Sequence, residues 1–355
     1  MASTLREATE IAKPGALAAS ERIEVAWIGT RPAWLDGEVA SAALDGFSVT
    51  STATPKTRVV HLARQAPDTV AEVRSAHPEA AVVVDLGPVA SATSDALLDA
   101  AHANVALVES ELDAEQAGVR VPELLGRVTV APTPLDLEWY APEAALTRLP
   151  GSYIRRFRRL HRLAHPSILF VGPYTRSGGL DIAIAAAYRL REQLEDVRLA
   201  AIPLGAVEQK YLDRCEMEAL ALGHRGIIEW TRSHEELRLW YSTATVVCCP
   251  WREPCEGAEA PVLAAAAARP FLGSDLAVFR QSFRAADAPA LVPPGDIDAL
   301  VDSLSALLAD LPRANELGEA ARSAVEAVFS YEDAARRLAA LWSALAERSP
   351  LNEAA

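Results

Sequence analysis

The sequence is poor in sulfur chemistry. Its 355 residues include four cysteines, Cys215, Cys248, Cys249 and Cys255, and no CxxC pair. That excludes a spaced zinc site and a disulfide framework. Cys248 and Cys249 stand in TVVCCPW, which reads as a buried strand where a thiol is a small apolar residue. Lysine is almost missing, with only Lys13, Lys56 and Lys210. There is no Walker lysine loop, no GxGxxG turn, no GxSxG elbow and no HExxH helix. The turn after the first strand reads GTRPAW instead. No apolar run approaches the roughly 18 to 20 residues of a spanning helix. The opening MASTLREATEIAKPGALAAS lacks the apolar core of a secretion signal, so a cytoplasmic location is expected. A net charge of −14 offers no chain-wide basic field for a nucleic-acid backbone, and no nucleic-acid partner is expected.

What is present is a regular alternation. Residues 1–20 read as a loose leader. Short Val- and Ile-rich runs follow: RIEVAWIG, RVVHLA, AAVVVDLG, NVALVES and RVTVAP, then SILFVGP, VRLAAIPL, GIIEWT, ATVVCCPW and RPFLGS. Several are apolar without alternation, as strands buried on both faces of a parallel sheet are. Helical stretches separate them at α/β spacing. Ser233 and Glu236 form a capping-box pattern. Asp296 is placed to cap a helix on which Leu300, Leu304, Leu307 and Leu311 recur at helical spacing. Two Rossmann-like domains are the simplest reading, at 21–150 and 166–330, followed by a C-terminal helix and tail at 331–355.

Between the domains, 151–165 carries Arg155, Arg156, Arg158, Arg159 and Arg162 within about two helical turns. Two readings stand for it. One is a solvated interdomain helix, the commonest fate of a charge run. The other is contact with an anionic membrane surface, a partner or a phosphorylated ligand.

Five segments in order carry a family pattern. RVTVAPTPLDLEWYAPE matches V-x-V-I-P-N-G-V-D-x-x-x-F-x-P, with Asp136, Tyr140 and Pro142 in place. SILFVGPYTRSGGLDIAIAAAYRL, HRGIIEWTRSHEELRLWYSTATVVCCPW, APALVPPGDIDALVDSLSALL and FSYEDAARRLAALW follow at the expected spacing. Residues 127–345 thereby resemble the GT-B glycosyltransferases of the retaining, family-4-like kind. The resemblance implies an α/β fold of two Rossmann-like domains with parallel sheets facing across a cleft. It also implies a nucleotide-sugar as co-substrate, no metal and no other cofactor, and an unknown acceptor on the N-terminal domain near the turn after Ile28.

The stretch EPCEGAEAPVLAAAAARPFLGSD is similar to the E-G-F-G-L-P-V-L donor-site segment of that family, with Glu256 as the sugar-contacting acid. Glu259 stands where the family has a small glycine, and Ala264 stands where its second, ribose-holding Glu is expected. One residue is missing before Arg269 and Pro270, along with the usual glycine. The phosphate-binding Arg and Lys have Pro173 and Gly178 in their places. Arg176 is the cation left in that loop, and Arg252 and the basic interdomain run are other candidate replacements. Glu256 and Glu259 are the candidate catalytic acids. Arg176, Gly257, Ala258, Thr231, Arg232 and Glu253 are the candidate donor contacts, with Thr231 and Arg232 beside the base. Acids near a helix N-terminus also stabilise it by about 0.3–1 kcal/mol without any ligand. Two functions therefore stand: a retaining glycosyltransferase with a degenerate donor motif, or a catalytically impaired relative kept as a binding or partner protein.

Overall fold

Twelve short strands form two sheets among the described residues, and every pairing in both is parallel. The structure is a computed structural model and describes residues 22–64, 66–89, 92–141, 166–194, 197–222, 228–230, 237–255, 259–282 and 290–348. The basic run at 151–165 and the Ser233–Glu236 capping pattern lie outside the described residues. By internal contacts the chain divides into two units. One runs to Thr133 and resumes at Tyr331, and the other is Pro134–Ser330.

In the first unit the strands are β1 (Ile23–Ile28), β2 (Phe47–Thr50), β3 (Val59–Leu62), β4 (Ala81–Gly87), β5 (Val105–Val108) and β6 (Val128–Val130). They lie in the order β2-β1-β3-β4-β5-β6. Helices α1 (Glu38–Ala43), α2 (Val70–Ala76), α3 (Ser94–Ala100) and α4 (Glu111–Arg120) connect them. Helix starts are set by side chains: Thr69 and Glu72 make a reciprocal capping box on α2, and Ser110 caps α4. One face of the sheet packs Ala26, Val60, Leu62 and Val82 against Val70 and Val73. The other face packs Val25, Trp27, Val59 and Val83 against Leu338, Trp342 and Leu345 of the closing helix Tyr331–Glu347. That helix completes the core of the first unit, although it follows the second unit in sequence. Segment 134–141, read from sequence as part of the first domain, is part of the second unit: Leu135 N–H donates to Phe329 O at 2.9 Å, and Leu137 packs on Val262 and Val325.

The second unit begins with α5 (Leu137–Tyr140), whose first turn is capped by Asp136. It continues with β7 (Ser167–Tyr174), α6 (Leu180–Leu190), β8 (Arg198–Val207), α7 (Gln209–Ala221), β9 (Ile228–Trp230), α8 (Leu237–Thr243) and β10 (Val246–Cys249). Then come α9 (Ala260–Ala266), β11 (Phe271–Ser274), α10 (Ala277–Ser282), β12 (Ala290–Val292), α11 (Ile297–Ala309) and α12 (Leu311–Phe329). The sheet order is β12-β11-β10-β7-β8-β9. Alternate residues of β7 feed opposite layers: Ile168 and Phe170 meet Leu180 and Ile184, while Leu169 and Val171 meet Trp240 and Trp251. Asp296 caps α11 as expected, its carboxylate accepting from Ala299 N–H. Leu311 does not belong to the α11 stripe. Asp310 caps a new helix at that point, Pro312 occupies its first turn, and Leu311 is exposed.

Candidate functional site

Both sheets wind in two directions from a starting strand, and each reversal opens a crevice at the carboxyl ends of two neighbouring strands. In the second unit the reversal lies between β7 and β10. The two loops that leave these strands are Thr175–Gly179 and Pro250–Glu259, with 256–258 outside the described residues.

The first loop is shaped by two glycines. A Cβ on Gly178 would lie 2.1 Å from the Pro173 carbonyl oxygen. Gly179, the residue before α6, has φ +72°, and a Cβ there would lie 2.1 Å from the Pro250 carbonyl oxygen. The backbones thus approach too closely for any side chain. Gly178 N–H donates to Thr175 O at 3.1 Å, and the Thr175 and Ser177 hydroxyls share a 2.8 Å hydrogen bond. Arg176 projects from this turn and is exposed.

The second loop is tied to the first through Arg252. Its guanidinium donates to both Asp181 carboxylate oxygens, at 2.8 and 2.7 Å, and to the Arg176 carbonyl at 2.9 Å. Its backbone N–H donates to Ser177 O at 2.7 Å. Tyr211 O–H donates to Asp181 Oδ1 at 2.5 Å, and Asp181 N–H returns a bond to the Tyr211 oxygen at 3.1 Å. Burial pushes the Asp181 pKa up, but the bonds from Arg252 and then Tyr211 outweigh it and hold it below the usual value. The hydrogen bond to Asp181 raises the Arg252 pKa in turn. The guanidinium of Arg252, a candidate replacement cation by sequence, is therefore committed to Asp181 and to the loop backbone.

Glu253 and Glu259 are both exposed, on either side of 256–258. Glu259 precedes α9 without capping it by a side-chain bond. Its charge reaches Tyr140, whose hydroxyl pKa is raised by burial first and then by Glu259 and Asp136. Tyr140 meets Tyr241 edge-on at 6.3 Å, and the Tyr241 hydroxyl is buried with no hydrogen-bond partner among the described residues. Trp251 is fully buried against Phe279, with its indole nitrogen so near Gly172 that a Cβ there would stand 2.6 Å from it. Sequence reasoning passed over Asp181, Tyr211, Tyr241 and Trp251. Trp251 alone carried a signal, as an aromatic directly after a buried strand. Glu256, Gly257, Ala258, Thr231 and Arg232 lie outside the described residues.

The turn that leads from α9 to Arg269 and Pro270 is left-handed at one residue. Helix α9 ends at Ala266, and Ala268 takes φ +52°, a left-handed conformation that favours glycine. Gly318 of α12 lies against the Ala268 carbonyl and could carry no Cβ, at 2.1 Å. Ala268→Gly is expected to raise stability by about 1 kcal/mol, measured as the urea midpoint. No gain would place Ala268 outside the left-handed region.

The corresponding edge of the first unit carries charge. Arg64 after β3 pairs with Glu109 after β5 at 2.6 Å and lies 3.9 Å from Asp85 on β4. Thr133 O–H donates to Glu109 at 2.9 Å. Burial raises the Asp85 pKa despite Arg64. In the turn after Ile28, Trp27 donates to Thr30 O at 3.3 Å and Arg31 pairs with Asp36 at 3.1 Å. Among the described residues no group of three His, Cys, Asp or Glu side chains could hold a metal ion. Nor is any described helix long and apolar enough to cross a membrane.

Comparison with known proteins agrees with this architecture. The sequence model of a family described as glycosyl transferases group 1 matches residues 165–310. A glycosyltransferase from Rickettsia africae ESF-5 superposes with TM-score 0.67 at 12% identity, covering 92% of this chain and 100% of that one. Anabaena HepE, solved in complex with UDP, gives TM-score 0.64 at 12% identity over 91% of this chain and 100% of its own. Sucrose-phosphate synthase from Thermosynechococcus elongatus gives 0.57 at 20% identity, covering 82% and 75%. No curated protein sequence matches the chain. The two parallel-sheet units are thus the GT-B fold.

Proposed function

We propose that the protein is a glycosyltransferase that moves a sugar from a nucleotide-sugar donor to an acceptor, with retention and without a metal. The observation that carries this reading is the β7–β10 reversal, with its two backbone-tight loops, inside the segment matched by the family model. The Anabaena relative has also been solved with UDP-glucose, which makes a uridine donor the first to try.

The donor lies along this edge of the second unit. Its diphosphate meets the Gly178–Gly179 turn at the start of α6, where the positive end of the helix dipole favours an anion. Arg176 adds charge there, together with the amides of Gly257 and Ala258. Thr231 and Arg232 border the base. Glu256 orients the sugar, and Glu253 and Glu259 flank it. As the sugar–phosphate bond breaks, negative charge builds on the leaving diphosphate, and fixed donors that face it lower the barrier. The acceptor is held on the first unit near the turn after Ile28. The basic run at 155–162 supplies contact with an anionic surface or partner, and the protein works in the cytoplasm.

Titration calorimetry with UDP-, GDP- and ADP-sugars tests the donor reading. Binding of one nucleotide class at or below about millimolar Kd is expected, the range of ordinary substrates. No heat from any of them at millimolar concentration would overturn it. Glu256→Ala is expected to cut transfer by at least about 100-fold, the cost of losing one fixed polar contact to the reacting centre. Unchanged transfer would move the sugar contact elsewhere.

A further inference from the structure

The β7–α6 turn that carries Arg176 is not held by its own hydrogen bonds alone. Gly178 N–H to Thr175 O and the Thr175–Ser177 hydroxyl pair close the turn locally. Among the described residues, the hydrogen bonds that reach it from across the β7–β10 edge come from Arg252. The Arg252 fork grips Asp181 in the first turn of α6 with two bonds, and the same side chain takes the carbonyl of Arg176 itself. Its backbone N–H takes the next carbonyl, that of Ser177. Tyr211 braces Asp181 from α7. Asp181 and Arg252 keep about a quarter of their side-chain surface exposed, 24% and 29%, so the pair stands at the rim rather than in the core. Arg176 makes no ion pair among the described residues, and its side chain is exposed.

We propose that Arg252 is a positioning residue of the donor site, holding the Arg176 turn in place while cancelling the charge of Asp181 beside it. The proposal rests on the donor reading above. Two effects follow from one side chain. Its bond to the Arg176 carbonyl, beside the backbone bond to Ser177 O, fixes the direction in which Arg176 leaves the backbone. Without the guanidinium, the Asp181 carboxylate in the first turn of α6 would stand unpaired next to the diphosphate and repel it. Lysine at 252 keeps the charge but not the planar fork, so it cannot serve Asp181 and the Arg176 carbonyl together.

UDP titration of the wild type, of Arg176→Gln, Arg252→Lys, Arg252→Gln and Asp181→Asn, and of the double variants Arg252→Gln/Asp181→Asn and Arg176→Gln/Arg252→Gln tests this, with circular dichroism confirming folding of each. Arg252→Gln is expected to weaken UDP binding at least 10-fold, and Arg252→Lys by less. Adding Asp181→Asn to Arg252→Gln is expected to recover several-fold of the loss. Adding Arg176→Gln to Arg252→Gln is expected to cost little more than either change alone. If the folded Arg252 variants bind UDP as the wild type does, the positioning role is overturned while the donor reading stands. If Asp181→Asn brings no recovery, Arg252 is a direct phosphate ligand and the proposal is overturned. If the wild type binds no UDP, GDP or ADP, the donor reading falls and takes this proposal with it.

Discussion

Trp342→Ala is expected to destabilise the first unit by about 3–5 kcal/mol, the range for removing a large buried aromatic. Trp342 is fully buried. It lies edge-on to Trp27 at 6.4 Å, to Phe47 at 5.5 Å and to His61 at 5.9 Å, and its indole N–H donates to His61 Nδ1 at 3.2 Å. Its loss empties the centre of this aromatic group and leaves the His61 nitrogen without a donor. Trp342→Phe separates the two terms: it restores most of the volume but leaves His61 orphaned, for about 1–3 kcal/mol. His61 also gives the protein a pH dependence. Burial pushes its pKa down to about 3, far below the ordinary value of 6.5. A histidine depressed in the folded state contributes fully above the unfolded pKa and loses that contribution as pH falls toward the folded one. The window is therefore pH 6.5 down to about 3. Within it each pH unit costs about 1.4 kcal/mol at most. Urea unfolding from pH 7.5 to 4.5 should show this slope in the wild type, and His61→Phe should flatten it by one proton. Equal slopes in both would show that His61 is not the acid-sensitive group.

The ladder of strands was legible because buried parallel strands are apolar throughout and leave an unmistakable run. Two strands escaped. FSVT at β2 and ALV at β12 are short edge strands, and half-exposed segments of three or four residues give no period to read. Local chemistry was legible where both partners lie within one turn, as with Asp296 and Ala299. Pairings that cross the chain were not. His61 and Trp342 are 281 residues apart, and Asp181 and Arg252 are 71. Nothing near either end marks the other. Leu311 shows the same limit in reverse, since helical spacing continued across a cap that begins a new helix. The left-handed turn at Ala268 was hidden because the residue there is not glycine. For the candidate site, Arg176, Glu253 and Glu259 could be named from their place in a pattern. That Arg252 is bound to Asp181 could not, because a sequence motif records which charges are present and not which have already been paired.

A lysine at 178, where the resemblance in sequence would place one, is expected to damage the protein rather than improve the proposed donor site. A Cβ at Gly178 would stand 2.1 Å from the Pro173 carbonyl oxygen and about as close as contact allows to two more Pro173 atoms, at 3.0 and 3.1 Å. These are mostly backbone atoms at the end of β7, so no side-chain rotation relieves the clash. Overpacking a site that can adjust costs about 1–3 kcal/mol, and one closed by backbone costs more. Gly178→Lys is therefore expected to lose at least about 3 kcal/mol and to bind UDP more weakly than the wild type. Gly179 offers no alternative, because its φ of +72° and the Pro250 carbonyl at 2.1 Å exclude a side chain there too. Ser177 does offer one. Its fixed contact with Arg252 is through the backbone carbonyl, and among the described residues its side chain bonds only the Thr175 hydroxyl. Ser177→Lys keeps the backbone contact and sets an ammonium beside Arg176. It is expected to tighten UDP binding several-fold and, because it removes the partner of the buried Thr175 hydroxyl, to cost about 0.5–1.5 kcal/mol of stability. Thermal unfolding and UDP titration of the two lysine variants side by side decide the matter. Tighter binding by Gly178→Lys with unchanged stability would mean that the turn does not pack against Pro173.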